Sequence, residues 1–390
     1  MKDLFSFKKA SQELDRFIES KISSYSKMRN FDLGSSESNY VSYLSPAITR
    51  RILTEQYVVN RVLKFFPFNK VEKFIQEICW RTYWKGYLEH RPKIWREFLG
   101  DLDSLGYQRN SEKYEKAVLG LTGIECYDNW VNELKDKNYL HNHTRMWFAS
   151  IWIYTLNLPW QLGAELFLEH LHDADPASNT LSWRWVAGIH TQNKQYIASP
   201  ENINKFTRGK YYPHGQLKQQ VRQVSTWKDY EIIDLDLESY QPKKLVKCVL
   251  IHENNLSLQN IPKFDYMFIQ KRSLESIKRS KNVHQFINNA LENFRNILSK
   301  QDSGKIIPFD FDNFNEVKKY MTLNNINTIY TPYPSIGFVK DKFKEIESIE
   351  GMNFRFFLPD WDILFWPHAK KGFFKLKKQI KSITSELDGM

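Results

Sequence analysis

Apolar and aromatic residues recur every three to four positions through the first half of the chain, which is the period of an amphipathic helix. The pattern is clearest in FIQEICWRTYWKGYLEHRP, which ends at Pro92, and in HNHTRMWFASIWIYTLNL, which Pro159 closes. The alternation with a period of two that is typical of strands is scarce here. The pattern therefore predicts a helical domain over residues 1–210.

The pattern changes near residue 240. KLVKCVLIHE, FDYMFIQ, KIIPFDF, NTIYTPY and NFRFFLP are typical of buried strands, and helical stretches alternate with the later ones. Such alternation predicts a parallel sheet that is covered on both faces. We expect a polar linker over 211–243 and a small Rossmann-like α/β domain over 244–390. This half contains neither GxGxxG nor GxxxxGK[ST], the glycine-rich loops that cradle phosphates.

The composition of the chain indicates a polyanionic partner. Lys and Arg number 56 against 45 Asp and Glu, which gives a net charge of +11. That charge favours nucleic acid, although many basic proteins bind none. Nine of the twelve tryptophans lie between Trp80 and Trp185, which indicates either a packed helical core or a site that stacks flat rings.

The sequence also limits the class of protein. The three cysteines form no CxxC pair, which argues against a zinc ribbon, an iron–sulfur site and a disulfide scaffold. The N-terminus is charged, and polar residues and a proline interrupt the longest apolar runs. We expect a soluble, cytoplasmic, monomeric protein with no membrane span and no metal.

Polar residues stand at helical spacing inside two apolar stretches. In the first, Glu77, Trp80 and Arg81 can share one helix face, either as a site or as a surface salt bridge beside a core tryptophan. In the second, Arg145 lies within an apolar run, so it needs an anion or another acceptor. A buried arginine satisfied by its own protein is the alternative.

The segment DADPASNTLSWRW combines acids, an amide and indoles. Asp173, Asp175 and Asn179 would suit a divalent cation, or they would accept hydrogen bonds from ribose hydroxyls and a ring N–H. The same residue types also make ordinary turns.

Taken together, these motifs resemble the flavin-binding domain of the DNA photolyase/cryptochrome family. The resemblance rests on YSKMR, SNYVS, EICWRTYW, LTGIECYDNWVNEL, HNHTRMWFAS, LPW and DADPASNTLSWRW, which cover nearly the whole helical half in the family's order. It implies FAD as the cofactor. The residues that it implies as FAD contacts are Tyr25, Ser38, Asn39, Val41, Ser42, Phe74, Arg81, Arg145, Asp173, Asp175 and Asn179.

The resemblance further implies a pocket for a pyrimidine dimer in DNA, lined by Glu77, Trp80, Asn142, Met146 and Trp185. Glu77 and Asn142 would act on the dimer, and burial would keep Glu77 protonated. Trp183 and Trp160 match the inner members of a tryptophan chain that reduces the flavin, with Tyr107 at the outer position.

The α/β half resembles the family's other domain but follows the helical half instead of preceding it. The chain is therefore expected to be circularly permuted. The implied activity is light-dependent repair of cyclobutane pyrimidine dimers by electron transfer from FAD. A cryptochrome-type blue-light photoreceptor that uses the same FAD site is the alternative, and a nucleic-acid-binding protein without flavin is a third possibility.

Overall fold

The first part of the chain is helical. The computed structural model describes residues 4–34, 39–191, 194–218, 227–241, 243–257, 259–300, 305–350 and 352–388. Helices α1 to α12 run over Phe7–Ser20, Ile22–Met28, Ser45–Thr49, Glu55–Leu63, Phe68–Glu89, Lys93–Ser104, Glu112–Leu119, Glu125–Lys137, Asn142–Ser150, Trp160–His170, Pro176–Val186 and Pro200–Phe206.

Local sequence explains the two helices that carry most of the candidate site. Helix α5 follows Pro67 and buries the repeating apolar residues Val71, Ile75 and Ile78. Helix α11 begins with Pro176 at its first position, where a missing N–H costs nothing. The Asp175 carboxylate caps this helix by accepting a hydrogen bond from the Ser178 N–H at 2.8 Å. Both helix starts are thus encoded locally.

The second part contains a parallel five-stranded sheet, as the alternating pattern predicts. Strands β1 to β5 run over Leu245–Ile251, Lys263–Gln270, Lys305–Phe309, Ile329–Pro332 and Phe354–Phe357. Their order in the sheet is β3-β2-β1-β4-β5. Helices α13 to α15, which alternate with the later strands, run over Lys281–Leu298, Asn315–Leu323 and Phe338–Glu350.

The two faces of the sheet join different hydrophobic clusters. Val249 and Ile251 on β1 pack into the cluster that also contains most of the helical part. Cys248 and Leu250, which point to the other face, pack with Val317 of α14 and Phe343 of α15. The sheet is therefore covered on both faces, and one face shares its core with the helices.

Buried ion pairs link the two parts. Glu89 of α5 accepts hydrogen bonds from the Tyr333 hydroxyl at 2.7 Å, the Ile336 N–H at 2.6 Å and the Lys340 ammonium at 2.9 Å. Arg51, which precedes α4, pairs with Asp362. These contacts fix the carboxyl ends of the strands against α5, because a buried charge is costly without such partners.

The chain returns to the helical part after the sheet. Helices α16 to α18 run over Asp360–Phe365, Phe373–Lys377 and Ile380–Asp388. Trp361 donates a hydrogen bond to the Thr82 hydroxyl of α5 at 2.9 Å. Within the described residues, no helix is long and apolar enough to cross a membrane.

Buried neutral histidines should make the fold sensitive to acid. In His252, which is fully buried, Nε2 donates to the Pro332 carbonyl at 2.8 Å and Nδ1 accepts from the Asn254 N–H at 3.2 Å. Burial lowers the pKa of His252 to about 4, although the Pro332 carbonyl and Glu253 favour its charged form. The unfolded chain binds this proton near pH 6.5, so stability is lost as pH falls below that value. We expect His252 alone to cost about 2 kcal/mol at pH 5.

Urea denaturation at pH 7 and pH 5 measures this loss. The variant H252Q should be less stable at pH 7 and should lose less on acidification than the wild type does. The exposed His214 provides the control, because H214Q should follow the wild type. An equal loss in all three proteins would show that His252 does not drive the acid response.

Candidate functional site

An ion pair stands at the centre of the candidate site. His141 caps α9, so Arg145 lies one turn into that helix and faces the loop between α10 and α11. Its guanidinium donates to Asp173 Oδ2 at 2.9 Å and to the Leu140 carbonyl at 2.9 Å. Burial alone would raise the pKa of Asp173, but Arg145 and Arg81 outweigh it and hold that pKa below its usual value. Asp173 is therefore ionised at neutral pH.

Thr49 connects Arg81 to the same acid. Arg81 on α5 donates to the Thr49 hydroxyl at 2.6 Å, and that hydroxyl donates to the Asp173 carbonyl at 3.3 Å. The predicted contacts from α5 and from the loop before α11 are thereby brought together. The sequence analysis missed Thr49, because no local pattern distinguishes it from other residues of a short helix.

Asp175 lies two residues further on and is surrounded by cations. Burial alone would raise its pKa, but the buried Lys85 and Arg81 lower that pKa below the usual range. A small cavity of about 20 Å³ adjoins it, lined by Thr49, Arg51, Lys85, Asp175, Tyr333 and Ser335 among others. The two acids are thus held by arginine and lysine, and within the described residues no cluster of His, Cys, Asp and Glu could hold a metal ion.

Two acceptors at the site are free for a ligand. Asp173 Oδ1 is buried and has no hydrogen-bond partner among the described residues. Asn179 donates its amide N–H to the Ala164 carbonyl at 2.9 Å, which leaves its own oxygen available as an acceptor. Buried acceptors need donors, and the ring N–H groups of a flavin would supply them. The residues present therefore fit a flavin.

The aromatic members of the predicted FAD site lie in a tight cluster. The Tyr25 ring meets Phe74 edge-on at 5.2 Å, and Phe17 lies 4.9 Å from Phe74. Burial, and secondarily the charge of Glu77, raises the pKa of Tyr25 above its usual value, so its hydroxyl is a neutral donor. Phe74 is almost completely buried, so its ring is part of the hydrophobic core in addition to being a predicted contact of the flavin.

The side chain of Asn39 is bonded within the predicted phosphate-binding segment. Asn39 donates to the Tyr43 hydroxyl at 2.9 Å and to Asp32 Oδ1 at 3.4 Å, and its oxygen accepts from the Leu33 N–H at 2.6 Å. Both amide hydrogens of Asn39 thus have partners in this loop, and its contact with FAD stays a prediction. Val41 and Ser42 are half-buried beside it. Ser38 lies outside the described residues.

Glu77 lies beside two cations. Its carboxylate lies 3.5 Å from Arg29 Nε and 2.9 Å from Lys73 Nζ, and its side chain is 29% exposed. Glu77 is thus less deeply buried than the sequence analysis expected, and its role as a proton donor to the dimer stays a prediction. Arg29 was not singled out, because a residue 48 positions away reaches Glu77 only through tertiary packing.

Trp80 is covered on one face by the C-terminal part of the chain. The Phe373 ring, at the start of α17, lies parallel to it with 3.7 Å between ring centroids and 11° between planes. One turn later, Trp84 meets His190 at 4.8 Å, so this side of α5 adjoins the loop after α11. One face of Trp80 is therefore occupied by the chain itself.

The other predicted pocket residues lie on α9 and α11. Trp185 is half-buried and stacks on Tyr196 with 5.6 Å between ring centroids. Asn142 is exposed at the start of α9, and Met146 is half-buried one turn later. That the two tryptophans face one cavity together with these residues stays a prediction.

A known family matches much of the helical part. Residues 74–239 match a sequence profile of the FAD binding domain of DNA photolyase. This region, less than half of the chain, is thus similar to the photolyase/cryptochrome family. FAD is the cofactor of this domain, in agreement with the free acceptors of Asp173 and Asn179.

Individual relatives of this family cover about half of the chain. A deoxyribodipyrimidine photo-lyase of Agrobacterium fabrum is 29% identical over 46% of this chain and 37% of its own length. That of Escherichia coli is 24% identical over 53% of this chain and 44% of its own. The chain thus covers less than half the length of these curated relatives.

Solved structures also match about half of the chain. A class III photolyase from Agrobacterium tumefaciens is 27% identical, with a TM-score of 0.46 over 54% of this chain and 44% of that one. A cryptochrome from Synechocystis is 22% identical, with a TM-score of 0.47 over 54% of this chain and 45% of that one.

The tryptophans that the photolyase resemblance implies for electron transfer are both buried. Trp183 packs against Phe167 at 5.1 Å and against Trp152 at 6.3 Å, and Trp160 stacks on Phe98 at 5.6 Å. Tyr107, the predicted outer member, is 71% exposed. The roles of all three stay predictions.

An aromatic contact links Trp183 to rings nearer the surface. Trp152 lies 6.3 Å from it and 5.9 Å from Tyr114, which is half-buried near the surface. The sequence analysis missed this pair, because the spacing of Trp152 and Tyr114 along the chain reveals nothing about their contact.

Proposed function

We propose that this protein repairs cyclobutane pyrimidine dimers in DNA in a light-dependent reaction. The observation that carries the proposal is the Arg145–Asp173 pair with its free buried acceptor, inside a region that matches the FAD binding domain of DNA photolyase. Curated relatives named deoxyribodipyrimidine photo-lyase support the same reaction. The net charge of +11 suits a DNA partner.

The chain would bind the flavin ring with acceptors and arginines. Asp173 Oδ1 and the Asn179 oxygen would accept from ring N–H groups, and Arg81 and Arg145 would keep the acids charged. Reduced FAD, when bound and excited by blue light, supplies the electron that opens the dimer. The remaining predicted FAD contacts are Tyr25, Ser38, Asn39, Val41, Ser42, Phe74 and Asp175.

The dimer must leave the duplex to reach this cofactor, which costs less for a damaged base pair than for an intact one. The second face of Trp80 would stack on the flipped bases, with Trp185 opposite and Met146 filling the space between. Asn142 and Glu77 would hydrogen-bond the base edges. Arg29 and Lys73, which lie beside Glu77, would stabilise negative charge on the dimer.

The test is the reaction itself. Purified protein with chemically reduced flavin is illuminated with an oligonucleotide that contains a single thymine dimer, and intact thymines are measured against a dark control. We expect light-dependent loss of the dimer. No loss, together with a stable light-driven change of the flavin spectrum, would reject repair and favour the cryptochrome-type photoreceptor.

Replacing Trp80 should weaken recognition of the damaged strand selectively. Stacking on an aromatic ring is worth roughly 1–3 kcal/mol per base. W80A should therefore bind dimer-containing DNA about ten- to a hundredfold more weakly than the wild type. Binding to undamaged DNA, which depends on phosphate contacts, should barely change.

The variant W80F is the matched control, because it keeps a ring for both Phe373 and a base. It should retain most of the preference for damaged DNA. Equal losses on damaged and undamaged oligonucleotides would remove Trp80 from the substrate pocket, and so would identical binding by W80A and the wild type.

We also propose that the order of the two domains is reversed relative to other photolyases. Both ends of the described chain meet consecutive residues of α4. The Phe7 ring lies 5.5 Å from Tyr57, and Gln56 donates to the Leu387 carbonyl at 3.1 Å. Adjacent ends support a permutation. A chain closed by a short linker and opened at the exposed Gly215 should fold and bind FAD, and an unfolded product would contradict the proposal.

A further inference from the structure

A basic segment lies beside Trp80 and has no part in the flavin site. Residues 366–385 contain six lysines and no acidic residue. We call residues 370–381 of this stretch the basic tail; it spans α17 and the start of α18. Its lysines are Lys370, Lys371, Lys375, Lys377, Lys378 and Lys381.

The basic tail is anchored by its apolar side and presents its lysines to solvent. Phe373, Leu376 and Ile380 are buried against the helical part. Between them, Phe374 is 74% exposed, and the exposed lysines of the tail flank it. These exposed lysines are Lys371, Lys375, Lys378 and Lys381. An exposed aromatic ring surrounded by cations can bind a ligand that has both flat rings and negative charges.

Acidic residues compensate only part of this charge. Lys377 lies 3.9 Å from Glu72 of α5, and Lys370 pairs with Asp234. A cavity of about 580 Å³ opens beside Phe374, lined by Phe68, Asn69, Glu72, Lys377, Lys378 and Lys381 among others. That volume lies within the range of about 300–1,000 Å³ that is typical of small-ligand sites, and it would take a nucleotide.

The basic tail is also continuous with the candidate dimer pocket. Phe373 stacks on Trp80 at 3.7 Å, and Phe374 lies 6.5 Å from Phe373. The three rings thus lead from the pocket to the exposed surface of the tail. A strand whose damaged bases lie at Trp80 would pass along this surface with its neighbouring nucleotides.

We propose that the basic tail binds the DNA strand that carries the lesion, with Phe374 stacking on an unpaired base and the lysines neutralising its phosphates. This inference rests on the proposed repair function, but it assigns the strand to a surface outside the flavin-binding domain match at residues 74–239. The occupant is a single strand and not a duplex, because a base stacks on an exposed ring only when it is unpaired.

Fluorescence anisotropy with an undamaged oligothymidine across a series of salt concentrations tests the proposal. Replacing Lys371, Lys375 and Lys378 by glutamine together should reduce the slope of log affinity against log salt by about 2, since each phosphate contact to a single strand contributes about 0.7. F374A should lower affinity about tenfold at fixed salt and leave this slope unchanged, because stacking involves no counterions. Circular dichroism melting checks that both variants fold.

The matched control removes the same charge from exposed lysines elsewhere. Lys244 and Lys263 lie at the amino ends of β1 and β2, and Lys300 lies beyond the carboxyl end of α13. Replacing these three by glutamine should leave the slope near that of the wild type. Equal slopes for the two triple variants would overturn the proposal, and so would wild-type affinity in F374A.

The experiments distinguish a failure of the tail proposal from a failure of the proposed repair function. A wild type that repairs dimers while the tail variants bind DNA as tightly as it does would overturn the tail proposal alone. A wild type that binds oligothymidine through the tail but never repairs a dimer would overturn the repair function alone. With saturating DNA, the tail variants should repair at the wild-type rate, because none of the substituted residues is a predicted FAD contact.

Discussion

Replacing Asp173 by alanine should abolish retention of FAD and destabilise the protein. The change removes the buried acceptor that is proposed to bind the flavin, and it leaves Arg145 without its acid partner. Removing one partner of a fully buried pair costs about 3–5 kcal/mol. Because the Arg145 side chain is 23% exposed, we expect a smaller loss of about 2 kcal/mol in the flavin-free protein. Flavin released on denaturation, counted per chain, and urea midpoints measure the two effects.

Two further variants complete this experiment: D173N separates the charge of Asp173 from its size, and E112A is the control. D173N keeps the size of the side chain but loses the charge, so it should bind FAD weakly and unfold with an intermediate midpoint. E112A removes one acid of an exposed pair with Lys116 on α7 and should change neither quantity, because exposed pairs contribute little. Full FAD occupancy in D173A would contradict the assignment of this site.

The strands and most of the helices could be predicted because their signals are local. The five apolar stretches after residue 240 became β1 to β5, since each is short and flanked by turn or helical residues. The structure of the stretch HNHTRMWFASIWIYTLNL was harder to predict, because it does not form one continuous α-helix. Helix α9 ends at Ser150, and a π-helical turn follows over Ile151–Thr155. The Ser150 hydroxyl accepts a hydrogen bond from the Ala198 N–H at 2.8 Å. No pattern in the sequence around Ser150 predicts this contact.

The candidate site follows the same rule. Spacing along α5 and α9 singled out Arg81 and Arg145, and the structure brings both close to Asp173 in the loop before α11. The partners that change its chemistry came from distant segments. Arg29 pairs with Glu77, and Phe373 covers one face of Trp80. Such contacts depend on how the helices and loops pack against each other. No short stretch of the sequence predicts that packing.

Replacing Trp183 by phenylalanine should nearly abolish photoreduction of oxidised flavin while sparing repair by protein reduced with dithionite. Trp183 is buried next to the candidate flavin site on α11, and Gly163 on α10 packs directly on its ring. An indole gives up an electron far more readily than a phenyl ring, so the substitution removes the donor and keeps the packing. Absorbance of the flavin under steady blue light with an external thiol measures photoreduction.

The route beyond Trp183 is decided by comparing single variants. W160F should slow photoreduction if electrons pass through Trp160 towards Tyr107, and W152F should slow it if they pass through Trp152, which lies 5.9 Å from Tyr114. W130F is the matched control, since Trp130 is equally buried but stacks on Trp147 away from this chain of rings. Unchanged photoreduction in W183F would remove the tryptophan from its predicted role. Loss of repair in dithionite-reduced W183F would instead mean that the residue supports the flavin site itself, because an already reduced cofactor needs no electron from the chain.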